Sequence, residues 1–388
     1  MDSNKVSRYK SIGYNNETGS VSHYNKYISE ECFFDKLINY INFKNNNIVI
    51  VCHAINSLIP FVSILSKYNT LNKVLIKPKS IDREIIEYLD VNEYDFEILN
   101  RFSYSTKDKL LEKFESFSNG DKCIILDIGG YFSSIFDNND IVKNVIGIVE
   151  DTENGQQKYE SKDLSTIDIP LFSIARSFPK ETEDWWVGVA ILFSAEKQFR
   201  ALGKTFNGKQ ILVIGFGKIG KSIAQYLQRY GYHVTVYDRD PRKLVHATCL
   251  NLNIIKNRSK FNHFDVIFCA TGNKSISEND LKEFDRVCYF FSVTSADDEF
   301  DIDFNEFKLA KEKFYISNNN SNLYFCNKGN AVNFIDGGEI GYFAHIVQGA
   351  IVCAAQKVVK ADYELNKINE LTDNDEIFLS EIYLETFL

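Results

Sequence analysis

Proline is scarce in this sequence, which has only five prolines among 388 residues. No proline-rich linker therefore separates its parts, and any hinge between domains must be short. No apolar run approaches the roughly 18 residues that a membrane-spanning helix needs. The N-terminal segment 1–5 is polar and lacks the apolar core of a signal peptide. We therefore expect a cytoplasmic protein without membrane partners.

Positive charge is also in deficit, with 44 basic against 53 acidic residues and a formal net charge of -9. This balance excludes the basic footprint of a nucleic-acid-binding protein and favours a small-molecule partner. The eight cysteines show no CxxC spacing. Neither a disulfide framework nor a metal site is predicted from them.

Strand-length apolar runs alternate with helical stretches, first over 47–149 and again over 210–293. The chain is too long for one compact α/β unit, at roughly 100 to 200 residues per domain. We predict an α/β fold of two doubly wound, Rossmann-like domains with a cleft between them. The first is a substrate and catalytic domain over 1–185, completed by a C-terminal helix within 341–388. The second domain covers 190–340.

A Gly-x-Gly-x-x-Gly motif stands at 215–220, directly after the apolar run Gln210–Ile214 and at the start of an amphipathic helical stretch. Its glycines permit a tight turn, a close approach of the backbone to a pyrophosphate, and close packing of helix on strand. Asp238 ends the next predicted strand, where a carboxylate binds the adenosine ribose and repels the 2′-phosphate of NADP. The predicted NAD contacts here are Gly215, Gly217, Lys218, Ile219, Gly220 and Asp238. The alternative is a domain that keeps its glycines for packing without binding a cofactor.

Several segments, in order, resemble S-adenosylhomocysteine hydrolase (adenosylhomocysteinase). They are 126–130, similar to that family's aspartate and double-glycine turn; 147–155, similar to its Glu-Glu-Thr-Thr-Thr-Gly loop; 169–184, similar to its catalytic lysine and aspartate segment; 208–221 with 238–241, similar to the opening of its cofactor domain; and 329–333, similar to its Gly-x-x-Val-Asn turn. In that family a bound NAD oxidises a ribose hydroxyl and later reduces the ketone again. The resemblance implies NAD as the cofactor and a homo-oligomer, a dimer or a tetramer.

The resemblance also implies residue roles. Thr152 and Asn154 match cofactor-contacting positions, although ordinary turn chemistry would explain them as well. Asn333 is expected near the nicotinamide, and Thr271 and Gly272 complete the expected cofactor contacts.

Lys180 and Asp184 match the family's catalytic lysine and aspartate. Four residues apart on a helix, they share one face, and we expect Lys180 to be a buried base with a lowered pKa that Asp184 orients. A surface ion pair is the alternative. His53, after the apolar run 47–52, and Asp151 are expected to bind substrate or relay protons. A packed helix-start histidine is the other interpretation of His53.

The departures from the family fall on the substrate side. Ile128 and Tyr131 stand where the family has carboxylates, and Ser295 stands where it has a histidine. The affinity of a site for a polar ligand falls steeply when the residues that hydrogen-bond to that ligand are replaced. The family's substrate is therefore not expected here. The leading hypothesis is NAD-dependent hydride transfer at a hydroxyl or carbonyl of a small molecule. The alternatives are hydrolysis of S-adenosylhomocysteine or a nucleoside thioether by transient oxidation, and an inactive NAD-binding regulator.

Overall fold

A computed structural model of the chain describes residues 27–100, 107–118, 120–137, 144–166, 168–317 and 320–388. The first 26 residues of the predicted substrate domain lie outside the described residues. No helix within the described part of the chain has the length and apolar character to cross a membrane.

The first half of the chain forms a sheet of parallel strands covered by helices. Its elements are α1 (Ile28–Ile41), β1 (Asn47–Ala54), α2 (Leu58–Tyr68), β2 (Thr70–Ile81), α3 (Arg83–Val91), β3 (Phe96–Ile98), α4 (Lys107–Ser118), β4 (Cys123–Asp127), β5 (Val145–Glu150), α5 (Glu153–Glu160) and β6 (Leu171–Ser173). In the strand order β6-β5-β4-β1-β2-β3, successive strands are added outward from β1 on one side and outward from β4 on the other, so the order switches between β1 and β4. Strand β1 is buried over Ile48, Val49, Ile50, Val51 and Cys52, as a strand covered on both faces must be.

A long helix, α6 (Phe178–Ala201), then leads into a second sheet. The elements that follow are β7 (Gln210–Ile214), α7 (Lys218–Arg229), β8 (His233–Tyr237), α8 (Pro241–Cys249), β9 (Asn253–Ile254), β10 (Val266–Cys269), β11 (Ile276–Ser277), α9 (Glu278–Lys282), β12 (Cys288–Ser292), α10 (Ala296–Glu299), β13 (Phe300–Asp301), β14 (Lys308–Lys311), β15 (Phe314–Ile316) and β16 (Leu323–Cys326). The sheet runs β14-β15-β16-β12-β10-β7-β8-β9, parallel except at the β14-β15-β16 edge. Its direction reverses between β7 and β10.

The C-terminal segment returns to the first sheet. It contains α11 (Phe343–Val359), β17 (Ile368–Asn369) and α12 (Asp373–Phe387), where the sequence predicts one helix. Strand β17 pairs with β6 and extends the first sheet to seven strands. The α/β fold class predicted from the sequence, with two doubly wound domains, is confirmed.

Helix α6 packs closely on α7 at the junction of the two sheets. Gly188 allows this approach, because a Cβ there would lie 2.6 Å from the Ser222 side chain. Ser222 Oγ donates to the Trp185 carbonyl at 2.6 Å. Trp185 packs on Tyr226, and Trp186 stacks on Phe343 of the C-terminal segment at 5.0 Å between ring centroids. The two tryptophans therefore stabilise the junction.

Candidate functional site

A cleft of about 1810 Å³ opens between the carboxyl ends of the two sheets. Open α/β sheets bind ligands at this edge, where the strand order reverses. The loops after β1 and β4 form one wall, the loops after β7 and β10 form the other, and the start of α6 lies between them. Every predicted cofactor residue of the glycine motif except Gly220 lines this cleft.

The glycine turn after β7 has the shape that a pyrophosphate requires. Gly215 has φ +93°, and a Cβ there would lie 2.5 Å from the Ala270 carbonyl oxygen. A Cβ on Gly220 would lie 2.0 Å from the Gly215 carbonyl oxygen, so this glycine lets α7 sit on the turn. A Cβ on Gly217 would instead point into open space at the uncapped start of α7. The first backbone N–H groups of that helix have no intrahelical acceptor and suit an anion.

Asp238 lies at the end of β8 beside this turn and lines the cleft. Its Oδ2 accepts from Phe216 N at 2.7 Å, and its Oδ1 accepts from Asp240 N at 2.8 Å. Each oxygen keeps a second lone pair for a ribose hydroxyl. Arg239 also lines the cleft, next to the position where the sequence predicts discrimination against NADP.

Thr271 and Gly272 follow β10 and line the cleft, but their polar groups already have a protein partner. The buried carboxylate of Glu299 accepts from Thr271 N at 3.1 Å, from Thr271 Oγ1 at 2.9 Å and from Gly272 N at 2.7 Å. Sequence reasoning missed Glu299, because it lies 28 residues away in an acidic run with no motif of its own. These two residues can shape the cofactor pocket, while their backbone amides are held by Glu299.

Asn333 has the character expected of a cofactor contact. It lies in a turn after β16, lines the cleft, and is only 5% exposed. Its Oδ1 is buried and accepts no hydrogen bond. An unpartnered buried amide oxygen costs free energy unless a ligand satisfies it. Together with the open space at Gly217, this oxygen shows that the residues present fit a dinucleotide.

Thr152 and Asn154 lie at the start of α5 and line the cleft. Thr152 caps this helix, because its Oγ1 accepts from Gly155 N at 3.0 Å and donates to Glu150 Oε1 at 2.7 Å. Both hydrogen bonds of the Thr152 hydroxyl therefore stabilise the start of this helix. The cofactor contact of Thr152 and Asn154 stays a prediction.

The candidate catalytic centre is a buried cluster around Lys180. Ser177 caps α6 and places Lys180 in its first turn, where the side chain is 9% exposed. The Lys180 ammonium lies 3.0 Å from Asp151 Oδ1 and donates to Glu183 Oε2. Asp184 instead faces Lys218, with 3.7 Å between Oδ2 and Nζ. The expected direct pair of Lys180 with Asp184 is wrong; Glu183, three residues along the helix, takes that place.

The charge state of Lys180 also differs from the expectation. Burial alone lowers the pKa of Lys180, but the carboxylates of Asp151, Glu183 and Asp184 together raise it well above the usual value. The predicted lowered pKa is therefore wrong, and Lys180 is an ammonium. Burial raises the pKa of Glu183 to about 7, although the Lys180 charge opposes this rise. Glu183 thus holds a proton more readily than an ordinary glutamate does.

His53 is the next-to-last residue of β1 and lines the cleft. Its Nδ1 bonds to Ser80 Oγ, and its ring stacks on Phe334 at 5.0 Å between centroids. Burial, together with the nearby charges of Lys77 and Lys180, lowers the pKa of His53 well below 6.5. His53 is therefore neutral, so it can accept or donate a hydrogen bond in the cleft but carries no charge.

Residues 196–340 match the family model for the NAD-binding domain of S-adenosyl-L-homocysteine hydrolase. The relationship inferred from the motifs is thereby confirmed for the cofactor half of the chain, and so is NAD as its cofactor.

Solved structures also match the chain, at low identity. A putative D-3-phosphoglycerate dehydrogenase from Ralstonia solanacearum matches with a TM-score of 0.49 and 11% identity, over 83% of this chain and 96% of that one. A phosphoglycerate oxidoreductase from Vibrio cholerae O395 matches with a TM-score of 0.44 and 12% identity, over 82% and 99%. An NADPH-dependent glyoxylate/hydroxypyruvate reductase from Sinorhizobium meliloti matches with a TM-score of 0.41 and 13% identity, over 76% and 96%.

Proposed function

Because residues 196–340 match the family model for the NAD-binding domain of S-adenosyl-L-homocysteine hydrolase, we propose that this protein is an NAD-dependent enzyme that transfers a hydride at a hydroxyl or carbonyl carbon of a small molecule. One observation carries the proposal: the buried Lys180 ammonium, held between Asp151 and Glu183, lines the same cleft as the glycine turn. A charged group so enclosed is costly to keep unless its charge is used or fully paired.

The cofactor supplies one half of the chemistry: bound NAD accepts a hydride from an alcohol carbon or returns it to a carbonyl carbon. Gly217 and the start of α7 would hold its pyrophosphate, Asp238 its ribose, and Asn333 its nicotinamide end. The unpartnered Oδ1 of Asn333 and the open space at Gly217 support this assignment.

Lys180 handles the proton in this proposal. Toward a carbonyl it donates a proton from its ammonium to the substrate oxygen as the carbon gains a hydride. In the other direction the hydroxyl proton passes to Lys180 as Lys180 passes one of its own protons to Glu183, so Lys180 remains an ammonium. Asp151 keeps the ammonium in place from the other side, and the neutral His53 bonds to the substrate. This assignment replaces Asp184 by Glu183 as the direct partner of Lys180 and leaves Asp184 to hold Lys218.

The test is a comparison of three preparations: the unchanged protein, a Lys180→Met variant, and a Lys221→Met control. Lys221 lies on α7 and pairs with the exposed Glu181 at 3.4 Å. We expect NAD to be released from all three on denaturation and detected by mass spectrometry. Reduction of NAD with a panel of small alcohols should be lost only in Lys180→Met. If denaturation releases no nucleotide and calorimetry finds no NAD binding to the unchanged protein, the proposal fails.

The same preparations distinguish hydrolysis from net oxidation. A hydrolase returns its hydride internally, so it releases a thiol from a nucleoside thioether without accumulating NADH. Thiol release without NADH would favour the hydrolase over the dehydrogenase.

A further inference from the structure

The strand order of the first sheet reverses between β1 and β4, and the turn Ile128–Gly129–Gly130–Tyr131 lies there. Gly129 and Gly130 have φ +101° and +66°, which side chains with a Cβ rarely adopt. Such a crevice at the carboxyl ends of parallel strands is where this fold binds ligands. The second sheet uses its own crevice for NAD, so this one is left to the substrate.

Two lysines from different elements converge on Gly129. Lys158, from α5, donates from Nζ to the Gly129 carbonyl oxygen at 2.6 Å. Lys77 approaches from β2, and its Nζ would lie 3.3 Å from a Cβ placed on Gly129. Both side chains line the cleft. The turn therefore carries an ammonium group on each side.

The carboxylates near this turn are occupied elsewhere. Asp127 and Glu150 lie behind it, 1% and 0% exposed. Glu150 accepts from Gly129 N and Gly130 N at 2.9 Å each, and Asp127 accepts from Phe132 N at 3.0 Å and from Tyr159 OH at 2.7 Å. Burial and the Asp127 charge raise the pKa of Glu150 to about 8. These groups order the turn, and no ligand can reach them.

Three carboxylates on the open side have cationic neighbours among the described residues. Asp151 and Glu183 share Lys180, and Asp184 faces Lys218. At the turn itself the partly exposed positions are Ile128 and Tyr131, which are uncharged where the resembling family has carboxylates. Lys77 and Lys158 thus bring two ammonium groups to a turn whose own side chains are uncharged.

We infer that the substrate carries an anionic group, a carboxylate or a phosphate, which binds to the Lys77 and Lys158 ammonium groups at the Gly129 turn. This inference rests on the proposed function and names the class of its substrate. The reacting hydroxyl or carbonyl lies toward Lys180, with His53 between the two ends. Lys77, Lys158, His53 and Lys180 all line the one cleft.

The experiment measures binding by calorimetry to protein saturated with NAD, which keeps anions out of the pyrophosphate site. The probes are inorganic phosphate, lactate, and propane-1,2-diol, which matches lactate without its carboxylate. The variants are Lys77→Met and Lys158→Met, which keep an unbranched apolar stem. Lys113→Met serves as the control, because Lys113 lies on α4, pairs with Glu97 and does not line the cleft.

We expect at least one anion to bind the unchanged protein more tightly than the diol does. Each cleft variant should weaken that binding about tenfold, as is typical for one charge-assisted contact, while Lys113→Met leaves it unchanged. Whichever of phosphate and lactate binds with the higher affinity identifies the anionic group of the substrate. Equal binding of lactate and the diol, or anion binding that both cleft variants retain, overturns the inference. NAD binding is measured separately on the same samples, so a failure of the proposed function is recognised independently.

Discussion

Replacing Glu183 by glutamine should make the protein's stability less dependent on pH. Glu183 is partly buried near the start of α6 and accepts a hydrogen bond from Lys180. Burial raises its pKa from 4.5 to about 7, Lys180 lowers it, and Asp151 and Asp184 raise it further. Because the folded protein holds this proton more tightly than the unfolded chain, protonated Glu183 stabilises the fold.

The sign and size follow from that difference. The stabilisation is fully present below pH 4.5 and is lost as the pH rises through 7. Between about pH 5 and about pH 8, a carboxyl with these two pKa values changes the free energy of unfolding by about 2.5 kcal/mol. The Glu183→Gln variant lacks this titration. Its stability relative to the unchanged protein should therefore rise by about that amount over the same range.

Urea unfolding at both pH values measures the difference. Titrations elsewhere in the molecule, including Glu150, are shared by both proteins and cancel in the comparison. Glu181→Gln is the matched control, because Glu181 also lies near the start of α6 but its side chain is 59% exposed. The control should show no such change. A Glu183→Gln difference that is the same at both pH values would refute a raised pKa for Glu183.

Four further substitutions test the cofactor domain and the turn that Asp127 orders. Gly217→Val fills the open space at the start of α7 and should weaken NAD binding at least about tenfold by calorimetry, without changing the thermal stability of the free protein. Gly215→Ala, by contrast, places a side chain at φ +93° and should lower the thermal stability itself. A Gly217→Val variant that binds NAD as tightly as the unchanged protein would contradict a pyrophosphate site at the start of α7. Asp238→Ser should improve binding of NADP relative to NAD, and an unchanged ratio would remove that role from Asp238. Tyr159→Phe removes the donor to Asp127 and should lower the free energy of unfolding in urea by about 1–3 kcal/mol; a loss near zero would show that Asp127 is satisfied without it.

Much of the fold is readable from local sequence. The strand Gln210–Ile214 is predicted with the bounds that the structure has, because it is an apolar run between clear breaks. The glycine turn at 215–220 is equally readable, since its backbone demands residues without a Cβ. Short strands escape such reasoning: β17 has two residues and exists only because it pairs with β6, about two hundred residues earlier.

The sequence by itself determined the α/β class, the glycine cradle and the type of cofactor domain, because these depend on contiguous residues and their conformational limits. The tertiary structure decided the chemistry of the centre. Helical spacing allows Lys180 to reach either Glu183 or Asp184, and only the packing of α6 against Asp151 and Lys218 selects the first. Likewise, Lys77 and Lys158 are ordinary lysines in the sequence. They become a substrate wall because parallel strands and helices far apart in the chain end at one edge of a sheet.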